Sequence, residues 1–193
     1  MEYRPEKGEI ILHRELNELD LFVLEFCSFL KEYVIVSGYV SILLGRSRAT
    51  EDVDLLIPRL KKSDFHTLWE TVQVNGFECL NTSKEQEAWE MLEEHAIRFA
   101  RKGHPLPNME FKMIKRPLDQ YAFDNKIAVR TEKAILFISP LEMQIAYKLF
   151  LGSEKDIEDA RHLYRLFKEK LNKEELLDAC MKLEVVDKQE LLA

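Results

Sequence analysis

The sequence predicts an α+β fold: a mixed β-sheet core flanked by helices over residues 1–138, then a C-terminal helical subdomain over residues 139–193. Three observations predict it. Short apolar, β-branched runs alternate with amphipathic stretches as far as Ile138. From Ser139 onward only helical periodicity is left. Finally, 46% of the 193 residues are hydrophobic, enough for one core, and the 6 Gly and 6 Pro are too few for long disordered stretches.

The elements follow in order. Over residues 15–32, Leu16, Leu19, Phe22, Val23, Phe26, Phe29 and Leu30 recur at helical steps. Tyr33–Val36 reads as a buried strand ending at Ser37-Gly38, and Val40–Leu44 as a short helix stopped by Gly45. A polar stretch, Arg46–Glu51, feeds a strand over Asp52–Ile57 that Pro58 closes. Ser63 is the expected cap of a helix ending near Asn75, with Gly76 as its stop. Phe77–Leu80 reads as a strand. Ser83 with Gln86 has the pattern of a capping box for an acidic helix. Ala96–Ala100 and Met109–Ile114 read as strands joined by a loop, Gly103–Pro107. A helix over 117–125 and strands over 127–130 and 135–138 complete the core. Ser139-Pro140-Leu141-Glu142 combines an N-cap, a first-turn proline and an acid three residues on. Helices at 140–151, 154–168 and 173–183 follow.

The net charge of −7 excludes a general nucleic-acid binder, although a local pocket or metal ions can still hold an anion. Cys27, Cys79 and Cys180 lie far apart without a CxxC spacing, as in a reduced protein with structural thiols. The five histidines form no HExxH or other close pair, so no zinc site is expected. The N-terminal stretch carries no apolar signal segment, and no apolar run is long enough to span a bilayer. A soluble, cytoplasmic protein is the expectation.

The chemistry concentrates between Val34 and Ile57. A strand ending in Ser37-Gly38 before a short helix points backbone N–H groups at an anion, and the Ser37 hydroxyl adds a donor. Asp52 follows Gly38 by fourteen residues, and then Asp54. In a strand these two share one face, with Val53, Leu55 and Ile57 on the other. Two carboxylates beside a phosphate-binding turn repel each other unless a divalent cation sits between them, and Mg²⁺ is typically held by one or two carboxylates plus substrate phosphates.

Ser37-Gly38-Tyr39-Val40 followed by Gly45-Arg46-Ser47-Arg48-Ala49-Thr50-Glu51-Asp52-Val53-Asp54 resembles the DNA polymerase β-like nucleotidyltransferase superfamily. In particular it resembles the branch of minimal nucleotidyltransferases and abortive-infection toxins. The superfamily has a Gly-Gly or Gly-Ser turn and then Asp-x-Asp, and this branch adds an Arg-x-Thr just before the Asp pair; here Ser37 replaces the first Gly. The resemblance implies a third carboxylate on a later strand, best matched by Glu110; alone, Glu110 reads more often as a solvated strand residue than as a ligand, and beside the Asp pair the two readings are even. Asp52, Asp54 and Glu110 would then be both the catalytic and the metal residues, holding two Mg²⁺ ions, with Mn²⁺ as a substitute. Ser37, Gly38, Arg48, Thr50 and Lys148 would be the nucleotide-binding residues.

The tail, Ala146-Tyr147-Lys148-Leu149 then Lys155-Asp156 and Asp159-Ala160, is similar to the same branch. By that likeness Lys148 faces the triphosphate, and Asp156 supports the site or orients Lys148. Alternatively Lys148 is a surface lysine, and Asp156 and Asp159 are first-turn charges favourable to the helix dipole.

The implied activity moves an NMP group from an NTP, such as ATP, to an acceptor hydroxyl and releases pyrophosphate. The acceptor is a tRNA, a small molecule or a protein. The toxin branch adds an antitoxin protein as a partner. The alternative is a non-catalytic member that binds nucleotide or a partner protein. Arg98, Arg101, Lys102, Lys112, Lys115 and Arg116 form either a patch for triphosphate or RNA, or a solvated sheet edge.

Overall fold

The computed structural model describes residues 1–192. The chain runs β1 (Glu2–Arg4), β2 (Glu9–Ile11), α1 (Glu18–Cys27), β3 (Val34–Val36), α2 (Gly38–Leu43), β4 (Asp52–Ile57) and α3 (Lys62–Val74). It continues through β5 (Phe77–Cys79), α4 (Glu85–Glu94), β6 (Ile97–Arg101), β7 (His104–Met113), α5 (Pro117–Asp124), β8 (Ile127–Arg130) and β9 (Ile135–Ile138). Three helices follow, α6 (Leu141–Leu151), α7 (Glu154–Phe167) and α8 (Lys173–Lys182). The α+β class expected from the sequence is the class observed.

The strands form one sheet in the order β1-β2-β8-β9-β3-β4-β7-β6-β5. It is mixed: β4 is antiparallel to β3 and parallel to β7, while β3 is parallel to β9. The period-2 alternation of β4 and β7 sends Val53, Leu55, Met109 and Phe111 to one face, where all are fully buried. There Phe26 of α1 meets Phe77, Phe99 and Phe111 at centroid distances of 5.4, 5.6 and 6.2 Å, typical of aromatic packing. The opposite face carries the carboxylates, with α5 and α6 beside it.

Several local expectations are corrected. β1 and β2 were not anticipated: three-residue strands show no period, and β2 is paired by the distant β8. β7 absorbs the expected loop from His104 onward. Its pairing with β4 begins only at Asn108, so Pro105 and Pro107 lie where no β4 partner is lost. Helix α1 starts later than expected because Asn17 and Asp20 cap it reciprocally, and it ends at Cys27 rather than near residue 32.

The three predicted serine caps do not form. Ser63 falls inside the first turn of α3. Before α4, Thr82 Oγ1 accepts the Lys84 N–H and donates to Glu87, so Ser83 has no capping role. The Ser139 hydroxyl donates to Gln144 Oε1, which leaves Pro140 at the cap position of α6. All three cysteines are free, as expected. Among the described residues no helix is long and apolar enough to cross a membrane.

Candidate active site

β4 lies near the middle of the sheet, so its polar face is framed by strands on both sides. Asp54 stands in register with Glu110, and Asp52 with Asn108. The parallel pairing therefore brings Asp52, Asp54 and Glu110 to one face, together with Asn108 and Lys112. The Thr50 hydroxyl donates to the Asp52 carbonyl at 2.9 Å and lies 3.4 Å from its Oδ1, fixing the entry to β4. Lys112 Nζ lies between two carboxylates, 2.8 Å from Asp54 Oδ1 and 2.5 Å from Glu110 Oε1. Arg98 Nη2 takes the other Glu110 oxygen at 2.8 Å. Burial pushes the Glu110 carboxyl up, but Lys112 and Arg98 outweigh it and hold the group below its ordinary value. Burial likewise opposes the Lys112 charge, and Asp54 and Glu110 overcome it, raising the ammonium pKa. Among the described residues no three acidic, imidazole or thiol groups converge on one point.

The turn after β3 is strained. Ser37 has φ 64° and ψ −135°, a conformation that glycine adopts readily and L-residues rarely do. Gly38 favours a close approach: a Cβ there would lie 2.6 Å from Arg48 Nη2 and would displace the guanidinium. The guanidinium lies over the glycine and is held by Asp159, with Nε–Oδ1 at 3.0 Å and Nη2–Oδ2 at 2.8 Å. Arg48 Nη1 donates to the Ala49 carbonyl at 3.0 Å. Lys148 is only 2% exposed, and its ammonium sits 2.7 Å from Asp156 Oδ1 and 3.1 Å from Asp159 Oδ2. Burial raises the Asp156 carboxyl, while Lys148 and Ser153 hold it low overall.

No family model matches the sequence, and no curated protein matches it. The structure is similar to the crystal structure of an antigenic nucleotidyltransferase-like protein from Paracoccidioides brasiliensis. The TM-score is 0.53 at 18% identity, covering 92% of this chain and 94% of that one. This chain has the nucleotidyltransferase fold. Two structures of ANT(2")-Ia are also similar. One is a crystal structure in complex with adenylyl-2"-tobramycin (TM-score 0.49, 12% identity, 86% of this chain and 95% of that one). The other is a solution structure (TM-score 0.49, 11% identity, 88% and 93%).

In this nucleotidyltransferase fold a cleft of about 270 Å³ opens on the carboxylate face. Ser37, Asp54 and Lys112 line it together with Leu56, Leu118, Met143, Tyr147 and Arg116. The basic cluster is not a sheet edge, and four of its six members are paired with acids. β6 and β7 are interior strands, and Arg98, Lys112 and Arg116 pair with Glu110, Asp54 and Asp119, while Arg101 pairs with Glu25. The edge reading failed because β5 covers β6, which the sequence could not reveal.

Four residues of the site surroundings were not singled out from the sequence: Lys112 as a partner of the carboxylates, Asn108, Gln144, and Asp159 as the anchor of Arg48. Asn108 donates its backbone N–H and Nδ2 to the Glu51 carbonyl at 2.9 and 3.1 Å, and its buried Oδ1 has no partner. Only the alternation 108-110-112 hinted at a shared face.

Proposed function

We propose that this protein is a metal-dependent nucleotidyltransferase that moves an NMP group from an NTP to an acceptor hydroxyl and releases pyrophosphate. The observation that carries the reading is the in-register placement of Asp54 and Glu110 around one cation, the Lys112 ammonium, with Asp52 on the same face. An all-oxygen donor set suits Mg²⁺ or Mn²⁺. The unpartnered Asn108 Oδ1, in register with Asp52, offers one more neutral oxygen. On this reading Asp52, Asp54 and Glu110 hold the metal. When bound, Mg²⁺ supplies charge neutralisation for the triphosphate and acidifies the acceptor hydroxyl.

The remaining roles belong to the chain. Thr50 aims Asp52. Ser37 and Gly38 form the turn that receives phosphate oxygens beside Asp54. Arg48 and Lys148 serve the nucleotide indirectly: their donors are engaged by Asp159, Asp156 and Ala49, so they fix the loop and α7 behind the turn. Positioning and charge neutralisation are the protein's contribution.

The test offers labelled NTPs with Mg²⁺ to total RNA, hydroxyl-bearing small molecules and candidate proteins. Transfer that disappears in the double variant Asp52→Asn/Asp54→Asn, with folding intact, supports the reading; transfer that persists moves the site elsewhere. Growth arrest on expression, relieved by the same variant and by a co-expressed partner, would assign the toxin role.

One observation favours a second reading. Lys112 and Arg98 together neutralise Glu110, as expected in a member that binds nucleotide or a partner without turnover. Tight Mg–NTP binding with no acceptor labelled across all three classes would select it.

A further inference from the structure

β3 ends at Val36, which pairs with Asp54, so the next residue has left the ladder. Ser37 nevertheless has both backbone groups satisfied, by one side chain from α6. Its N–H donates to Gln144 Oε1 at 3.2 Å, and Gln144 Nε2 donates to its carbonyl at 2.6 Å. The carboxamide thus replaces a strand's peptide group. The Ser139 hydroxyl donates to the same Oε1 at 2.9 Å, so only one orientation of the amide satisfies all three bonds. Gln144 is 2% exposed and lines the cleft with Ser37 and Asp54.

These bonds converge on the one residue of the turn that carries strain, Ser37 at φ 64°. A strained residue persists only where its surroundings over-determine it. Left alone, a serine would relax to negative φ and re-aim both its hydroxyl and the following peptide. We propose that Gln144 is a positioning residue that holds Ser37 in its strained conformation against Asp54, keeping the turn ready for the substrate's phosphates. The inference rests on the nucleotidyltransferase reading for what the turn receives; the holding itself does not depend on it.

The experiment is a pair of double-mutant cycles on the full chain, with Gln144→Ala and Ser37→Gly. One cycle measures Mg–ATP binding by calorimetry, and the other measures urea unfolding without nucleotide. Glycine needs no holding, so the two cycles should be non-additive in opposite directions. Gln144→Ala should weaken Mg–ATP binding about tenfold with serine at position 37, equivalent to about 1.4 kcal/mol. In the S37G background it should weaken binding less than about threefold, or roughly 0.7 kcal/mol. Unfolding should show the reverse. With serine present, lost bonds are offset by relaxed strain, so Gln144→Ala should cost less than in the S37G background.

Additive effects in the unfolding cycle overturn the proposal. So does equal loss of binding in both backgrounds. If the wild type binds none of Mg–ATP, Mg–GTP, Mg–CTP and Mg–UTP, the nucleotidyltransferase reading fails and the unfolding cycle alone decides the role of Gln144; if it binds another of the four instead of ATP, the binding cycle is run with that one. Should Gln144→Ala not fold, Ser139→Ala removes only the third bond to Gln144 Oε1, the one that braces the amide from the α6 side. It runs both cycles with the same expected signs.

Discussion

Asp54 and Glu110 are register neighbours across a parallel ladder, so their like charges repel, by on the order of a few kcal/mol at an effective dielectric near 20. Lys112 removes that repulsion by placing one ammonium between them. Lys112→Met should therefore destabilise the metal-free protein by about 1–2 kcal/mol, since the group is partly solvent-screened. The variant should recover more stability than wild type when Mg²⁺ is added, because the cation takes the vacated place. Thermal unfolding with and without Mg²⁺ measures both effects; a variant indifferent to Mg²⁺ would remove these carboxylates as a cation site.

Glu142 behaves in the opposite sense to Glu110. Burial dominates there and raises its pKa, against the opposing hydrogen bond from the Asn172 N–H at 2.8 Å. A carboxyl raised in the folded state loses stability as pH rises from its unfolded to its folded value. Asp20, Glu110 and Asp156 are depressed, so their contribution is present above the unfolded values and is lost as pH falls through the folded ones. Glu142→Gln keeps an acceptor for Asn172. It should gain about 0.5–1.5 kcal/mol at pH 7 and retain the acid-side loss, as urea midpoints across pH would record.

At the scale of elements, α7 ties the loop before β4 to α6. Asp159, fully buried, receives Arg48 and Arg46 from the loop before β4 and Lys148 from α6. Asp159→Ala leaves a nearly buried lysine and two arginines short of a counter-charge. It should cost about 3–5 kcal/mol in equilibrium unfolding and increase hydrogen exchange over residues 46–51. A loss within about 0.5 kcal/mol would mean that the cluster is solvent-screened.

This linkage also marks how far the sequence could be read. β4 was legible to the residue because Asp52-Val53-Asp54-Leu55 alternates, the apolar run continues to Ile57 and Pro58 ends it. The paired aspartates and the Ser-Gly turn lie within one short segment, where strand period and turn signal point to them, and Thr50 entered through the resemblance to the nucleotidyltransferase branch. Lys112, Asn108, Gln144 and Asp159 take their roles from sheet register and helix docking, between segments up to 113 residues apart, as in Arg46 and Asp159. The serine caps failed for a related reason: a hydroxyl satisfies whichever donor or acceptor the tertiary structure brings, and for Ser139 that was Gln144.

At the scale of the whole molecule, the proposed boundary at 138/139 meets a continuous interior. Leu141, Ile145 and Leu149 of α6 are fully buried in the same cluster as Ile35, Leu55 and Ile138 of the sheet. The Ser139 N–H extends the ladder by donating to Ile35 at 2.9 Å. Burying each of these three α6 side chains is worth about 1.5–3 kcal/mol. Their sum is comparable with the roughly 5–15 kcal/mol that stabilises a typical domain. The sheet without α6 would therefore expose a large apolar face and lose the amide that holds Ser37. The full chain should unfold in a single transition, with fluorescence from Trp69 and Trp89 and far-ultraviolet dichroism coinciding. A chain ending at Ile138 should keep much of its far-ultraviolet signal but lose near-ultraviolet dichroism and cooperativity. A truncated chain that unfolds as sharply as the full one would show that the helices are an appendage to an independent core, and that the candidate site is assembled without them.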